Sequence, residues 1–286
     1  MIGKVGKYVM EIDESQKGIH SSLIRIMNGD IKEREPELLY ILRKEIKEGM
    51  CCIDLGANIG YVTLLMCDLV GEEGKIYSIE PDPNNLKYLH KNIKLNNYEN
   101  IVDIYDIAIS NTEGIFDFYI GNAPNLNSLI KIEKSIKSIE VKTDTLTNFC
   151  SNKSLFPELI KMDIEGGEVG VLEGFYDYVL NNDFSCKIIM ELHPKMYSEE
   201  NCLEYFIKKY LDIGFKTKYV ISAGIVQPDL FKEWNYYPIR CFESNRGLYK
   251  GFSDENMLEA CCNINVQKVS EDKYSNKIAR FLMIER

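Results

Sequence analysis

Short apolar runs alternating with helical stretches predict an α/β fold, an open and mostly parallel sheet with crossover helices on both faces. Three observations carry that prediction. Cys51-Cys52-Ile53-Asp54-Leu55 is almost continuously apolar, as a strand covered on both faces should be, and it runs into the tight turn Gly56-Ala57-Asn58-Ile59-Gly60 and then a helix. Leu159-Ile160-Lys161-Met162-Asp163-Ile164-Glu165-Gly166-Gly167 repeats the design, with an acid at the strand end and paired glycines before a helix. Ile188-Ile189-Met190-Glu191-Leu192-His193-Pro194 repeats it again, and Pro194 stops the strand with Glu191 and His193 at one edge.

The chain has 286 residues, 45% hydrophobic and 27% charged, which suits one large globular domain or one domain with additions. Its net charge of −10, with no dense Lys/Arg cluster, argues against a nucleic-acid partner. No apolar run approaches the roughly 20 residues that span a bilayer, and Met1-Ile2-Gly3-Lys4 opens no signal core. Nine scattered cysteines without zinc-type spacing read as reduced thiols, so the expected location is the cytoplasm.

Residues 1–31 carry little periodic signal, and Leu38, Leu39, Ile41, Leu42 and Ile46 predict a helix over 33–48. Residues 1–49 are read as an N-terminal helical segment that caps or completes the acceptor site, ahead of one domain over 50–286. The second strand, 76–80, ends at Glu80, and Pro81-Asp82-Pro83 opens a helix to about 96, capped by Asp82 or Asn84. A third strand over 101–109 carries Asp106 near its far end. Further strands are expected over 114–121, 139–143, 215–222 and 277–285, and helices from within 143–149 and over 168–180 and 202–211. The polar loop 122–129 suits the lining of a site, with Ser128 as its substrate candidate. Residues 223–262 are aromatic and irregular and read as a lid or substrate wall. There Arg240, Asn245 and Arg246 are candidates to bind an acidic or hydroxylated acceptor. The plainer reading makes those aromatics core and the loop solvated.

The acid of the second strand tip, Glu80, can accept the hydroxyls of a ribose. A dinucleotide fingerprint needs a glycine two positions after Gly56, and Asn58 stands there; no P-loop is present either. What remains suits a cofactor with ribose and adenine but no phosphate. S-adenosylmethionine (SAM) fits that description, whereas a nicotinamide-dependent oxidoreductase is disfavoured.

Ile53-Asp54-Leu55-Gly56-Ala57-Asn58-Ile59-Gly60-Tyr61-Val62-Thr63, Ser78-Ile79-Glu80-Pro81-Asp82-Pro83, Leu159 through Lys161-Met162-Asp163-Ile164-Glu165-Gly166-Gly167-Glu168, and Ile189-Met190-Glu191-Leu192-His193 occur in order. Together they resemble the FkbM family of class I SAM-dependent methyltransferases over about residues 50–195. The resemblance implies a seven-stranded Rossmann-like sheet and O-methyl transfer, commonly to sugar or polyketide hydroxyls. It places Asp54, Gly56, Asn58 and Gly60 around the methionine part, Glu80 at the ribose and Asp106 near the adenine. Ala57, Pro81, Asp82, Ile107 and Asp163 complete the cofactor candidates. Gly167 stands where the family often has Ala, and Asp106 where Asn is common.

A hydroxyl is a poor nucleophile toward a sulfonium methyl, so a positioned base would help alignment do its part. His193 and Glu191 are the candidate bases, with Asp163 and Glu165 orienting the acceptor or the methionine amine. The plainer alternative makes His193 and Glu191 structural, capping the strand end and bonding loop amides. A second chemical alternative is Mg²⁺ held by Asp163, Glu165 and Glu191, which would acidify the hydroxyl without a protein base. The expected activity is methylation of a sugar hydroxyl in a glycan, glycolipid precursor or secondary metabolite. A non-catalytic SAM-binding or scaffolding module is the alternative.

Overall fold

In a computed structural model the chain divides into two units, Met1–Thr145 and Leu146–Arg286. Residues 1–123, 126–131, 135–271 and 273–286 are described. The first unit opens with a hairpin that the weak periodicity of its sequence did not reveal. β1 (Ile2–Val5) pairs antiparallel with β2 (Tyr8–Glu11) and turns at Gly6, whose φ of 59° favours glycine. Next come α1 (Ile19–Met27) and α2 (Pro36–Glu45); α2 is shorter than the expected 33–48 because Pro36 fixes its start and Ile46 is already extended.

The alternating part follows as β3 (Cys51–Leu55), α3 (Tyr61–Val70), β4 (Lys75–Ile79), α4 (Pro83–Leu95) and β5 (Val102–Tyr105). The strands run parallel in the order β3-β4-β5, with Asp54 beside Ser78 and Ser78 beside Ile104. The single strand expected over 101–109 is broken. Asp106 and Ile107 form a link, after which β6 (Ala108–Ser110) joins β7 (Gly114–Ile120) and β8 (Lys137–Thr145) in a separate sheet ordered β6-β8-β7. Ala108, Phe118, Ile120 and Val141 build a small core of their own there, which gives the chain a reason to change partners. Of the polar loop 122–129, residues 124 and 125 lie outside the described residues.

The second unit runs α5 (Leu146–Lys153), β9 (Leu159–Met162), α6 (Glu168–Asn181), β10 (Lys187–Glu191), α7 (Leu203–Asp212) and β11 (Lys216–Ser222). It continues as α8 (Asp229–Glu233), β12 (Arg240–Phe242), β13 (Arg246–Tyr249), α9 (Asp254–Cys262), β14 (Gln267–Ser270), β15 (Lys273–Ser275) and β16 (Ala279–Glu285). Its sheet has the order β12-β13-β11-β16-β10-β9. The last strand is central because Phe281, Leu282, Met283 and Ile284 are all buried, and only a strand covered on both faces can hide such a run.

The α/β class stands, with two corrections of detail. The sheet is mixed: β9 and β10 are parallel, whereas β16 is antiparallel to both β10 and β11. Three strands in the first unit's main sheet and six in the second's exceed the expected seven. The surplus includes the β12–β13 hairpin, which the turn at Asn245 (φ 57°) forms inside the stretch read as irregular. Part of that stretch's aromatics are core: Phe231, Tyr249 and Phe252 are buried and Tyr236 stacks on Phe252 at 4.0 Å, whereas Tyr237 is exposed. All nine cysteines are free thiols. Among the described residues no helix is long and apolar enough to cross a membrane.

Candidate functional site

In the first unit the candidate cofactor residues gather at the carboxyl ends of β3 and β4. Gly56, Asn58 and Gly60 have φ of 74°, 52° and 91°, so the turn is made of three left-handed positions, two of them glycine. Its amides are engaged within the unit. Gly56 and Ala57 both donate to the Ile79 carbonyl (3.0 and 3.1 Å), Gly60 donates to the Ala57 carbonyl (2.9 Å), and Ile59 donates to the Asn58 Oδ1 (2.9 Å). The Asn58 amide donates to Glu80 Oε2 at 2.8 Å. A pyrophosphate site needs such amides aimed at the ligand, so this turn is built against phosphate and not only short of a glycine.

Glu80 is the keystone of these two strand tips. Only 4% exposed, it accepts from Asn58 on Oε2 and, on Oε1, from the Asp82 amide (2.9 Å) and Asn85 Nδ2 (3.3 Å). A carboxylate offers about four acceptor positions, so one remains, on Oε2. The residues therefore fit a ribose through one hydroxyl rather than both. Burial, opposed by those hydrogen bonds, pushes the Glu80 carboxyl up to about 7.

The neighbouring candidates have structural work as well. Asp54 is fully buried and accepts from Thr63 Oγ1 at 2.7 Å, tying β3 to α3. Asp82 caps α4 by accepting from the Asn84 amide (2.8 Å), and its other oxygen accepts from Asn127 Nδ2 (2.8 Å). Pro81 and Ile107 are half-buried and Asp106 is exposed in the link after β5. Ser128 is fully buried: its backbone bridges to Tyr119 and its hydroxyl accepts from the Ile130 amide at 3.0 Å. That hydroxyl holds the loop.

In the second unit the structure brings Asp163, Glu165, Glu191 and His193 together. After β9 the chain turns through Glu165 (φ 49°) and Gly166 (φ 94°) into α6. A left-handed glutamate is strained, a cost that tends to persist at functional positions. His193, just past β10, places Nδ1 2.9 Å from Glu168 Oε1, and Nε2 3.4 Å from Glu165 Oε2 and 3.9 Å from Glu191 Oε1. Tyr197 accepts from the His193 amide (3.0 Å) and donates to Glu168 Oε2 (3.2 Å). Burial pulls the imidazole down, but Glu168, followed by Glu165 and Glu191, outweighs it and holds His193 at about 9. Glu165 is pushed up to about 7 by burial, which the His193 charge opposes and Asp163, Glu191 and Glu168 reinforce.

Glu191 is held by two cations: Lys277 Nζ donates to Oε1 at 3.0 Å and Arg280 Nη2 to Oε2 at 3.1 Å. Ligand-type atoms of Asp163, Glu191 and His193 lie within 4.8 Å of one another. Of the Asp163, Glu165 and Glu191 set considered for Mg²⁺, Glu191 already has an ammonium and a guanidinium on its two oxygens, which weakens it as a ligand.

Glu168, Tyr197, Lys277 and Arg280 were not singled out as site residues from the sequence. Glu168 carried one signal, a charge opening the otherwise apolar run Val169, Val171 and Leu172, and it is fully buried. Arg240, Asn245 and Arg246 lie on the β12–β13 hairpin and are not gathered with the acids. β12 is four strand positions from β10, about 19 Å at the usual spacing. Asn245 Nδ2 donates to the Gly224 carbonyl at 3.1 Å, and Arg240 covers Phe242.

A family model described as the methyltransferase FkbM domain matches residues 54–235, more than half of the chain. The match places a methyltransferase domain over that range, which includes the turn and the strand-tip acids. The chain belongs to the FkbM methyltransferase family. Protein-L-isoaspartate O-methyltransferase of Methanococcoides burtonii is 32% identical over 62 residues, 22% of this chain and 30% of that protein. The crystal structure of Methyltransferase FkbM from Methylobacillus flagellatus KT aligns at a TM-score of 0.43 and 13% identity, covering 81% of this chain and 53% of that one. A SAM-dependent O-methyltransferase from Thermotoga maritima aligns at a TM-score of 0.45 and 12% identity, over 92% of this chain and 69% of that one. The chain spans about a third of the curated relative and about half of the FkbM structure.

Proposed function

We propose that the protein is a SAM-dependent O-methyltransferase that delivers a methyl group to a hydroxyl, that of a sugar in a glycan, glycolipid precursor or secondary metabolite. The observation that carries the reading is Glu165, a half-buried carboxyl 3.4 Å from His193 Nε2 that partial burial pushes up to about 7. A base with that pKa is matched to taking a hydroxyl proton at neutral pH. Methyl transfer to a thiolate or an unprotonated amine has less need of one. The choice of a sugar rests on the family alone.

When bound, SAM supplies an electrophilic methyl on sulfonium. On this reading Gly56, Asn58 and Gly60 shape the pocket for its methionine part, and Glu80 accepts one ribose hydroxyl through Oε2. Glu165 would take the proton that the acceptor hydroxyl gives up. His193 is a positioning residue: its charge opposes the upward push on Glu165, and it is itself aimed by Glu168 and Tyr197. Glu191, neutralised by Lys277 and Arg280, anchors the cluster, and Asp163 orients the acceptor.

The test is a methyl-transfer screen over sugars, sugar nucleotides and lipid-linked saccharides, with the methylated atom mapped. Glu165→Gln should lower turnover by roughly 10² to 10⁴-fold, the usual contribution of a general base. S-adenosylhomocysteine affinity should stay within twofold. Methylation on nitrogen or carbon, or a Glu165→Gln variant with wild-type turnover, overturns the reading.

A further inference from the structure

The first unit holds a cavity of about 440 Å³, a size usual for small-molecule sites, that none of the roles above uses. The β1–β2 hairpin, α1, α2 and α3 enclose it, and Leu39, Leu65 and Leu69 give it an apolar lining. Most of its charges are matched in place, Lys7 with Asp68 and Arg43 with Glu33. What is left over has one sign and one hydrogen-bonding character. Lys32 lines the cavity, is exposed, and among the described residues makes no ion pair or hydrogen bond.

Two tyrosines stand in the wall, of which Tyr61 has a hydroxyl proton to offer. The Tyr8 ring is 8% exposed and its buried hydroxyl has no hydrogen-bond partner, an arrangement folded proteins rarely tolerate without a reason. The Tyr61 hydroxyl accepts from the Arg34 amide at 3.2 Å, and among the described residues nothing accepts its proton. Burial keeps both protonated, pushing Tyr61 up to about 12 and Tyr8 higher still. The wall thus offers a hydroxyl donor and a cation over apolar side chains.

We propose that this cavity is a binding site for a small amphipathic anion, an organic carboxylate or phosphate. Its acidic oxygens take up the donors of Lys32 and Tyr61, and its hydrocarbon part lies against Leu39 and Leu65. The site is separate from the cofactor turn, although Tyr61 directly follows Gly60.

Calorimetry on the whole chain tests this with hexanoate, phenylacetate and phenyl phosphate, with hexanol and benzyl alcohol as neutral counterparts, each with and without saturating S-adenosylhomocysteine. At least one anion should bind one to one, its neutral counterpart at least tenfold weaker, and S-adenosylhomocysteine should not displace it. Lys32→Glu should weaken the anion at least tenfold, and Leu39→Trp should fill the space and abolish binding. Tyr61→Phe should weaken the anion severalfold, since it removes the hydroxyl donor from the wall. Anions that bind no better than the alcohols, displacement by S-adenosylhomocysteine, or binding unaltered by both Lys32→Glu and Leu39→Trp would overturn the proposal. If S-adenosylhomocysteine itself fails to bind, the proposed activity is lost, but the anion measurements still decide this site.

Discussion

The glycine turn of the first unit and the acid–histidine cluster of the second are both built on strand tips, yet they are held in opposite ways. The turn is a backbone device: five consecutive amides are engaged by partners between Ala57 and Glu80, all within one β-α-β stretch. The cluster is a charge device: its imidazolium depends on Glu168, and its Glu191 on Lys277 and Arg280, more than 80 residues further along. A backbone device is set by local conformational preference. A charge device exists only after distant segments have met.

The sharpest way to break that contrast is to remove the charge that supports His193. Glu168→Gln leaves a buried imidazole facing an amide, and cutting one partner from a buried pair typically costs about 3–5 kcal/mol. Urea denaturation should register a loss of that size. A loss under about 1 kcal/mol would mean that the cluster is held by packing, like the turn, and that its charges are incidental.

The turn has one side chain at its centre, and Glu80 should behave accordingly. Glu80→Ala removes both the ribose acceptor and the groups that fix Asn58 and Asp82. One hydrogen bond to a charged group, at about 1.5–3 kcal/mol, predicts roughly a 10- to 100-fold loss of S-adenosylhomocysteine affinity by calorimetry. Glu80→Gln, which keeps one acceptor oxygen, should lose about tenfold. Unchanged affinity in both would remove Glu80 from the cofactor site.

This contrast also explains what could be read in advance. Asp54, Gly56, Asn58, Gly60 and Glu80 were legible because residue type and spacing state the turn by themselves. The acids at 163, 165 and 191 were legible as a group, but their roles were not. Sequence order shows Glu191 at a strand end; it does not show Lys277 and Arg280 beside it. His193 read as a base because an unperturbed imidazole is one, and the carboxylates that hold it protonated are brought in by folding. The β12–β13 hairpin was missed because its strands are three and four residues long, too short for alternation to show. The broken third strand was missed because continuous apolar character through Ile107 and Ile109 hides a change of sheet.

A smaller effect separates the two devices by pH. Burial pushes the Glu80 carboxyl up to about 7 in the free protein, and a ribose hydroxyl donates more strongly to an ionised oxygen than to a protonated carboxyl. Binding therefore favours the deprotonated form, and below pH 7 a proton must leave before the stronger bond can form. S-adenosylhomocysteine affinity should be flat above about pH 8 and should fall toward tenfold per unit as pH drops through 7, since one pKa unit corresponds to about 1.4 kcal/mol. Glu165 titrates in the same range but belongs to the second unit's cluster, so Glu165→Gln should leave this binding profile intact while altering the pH dependence of turnover. Glu80→Gln should flatten the binding profile, because the amide has no proton to lose. If instead Glu165→Gln flattens it, the charge that governs cofactor binding lies in the cluster, and the division between a backbone device for the donor and a charge device for the acceptor fails.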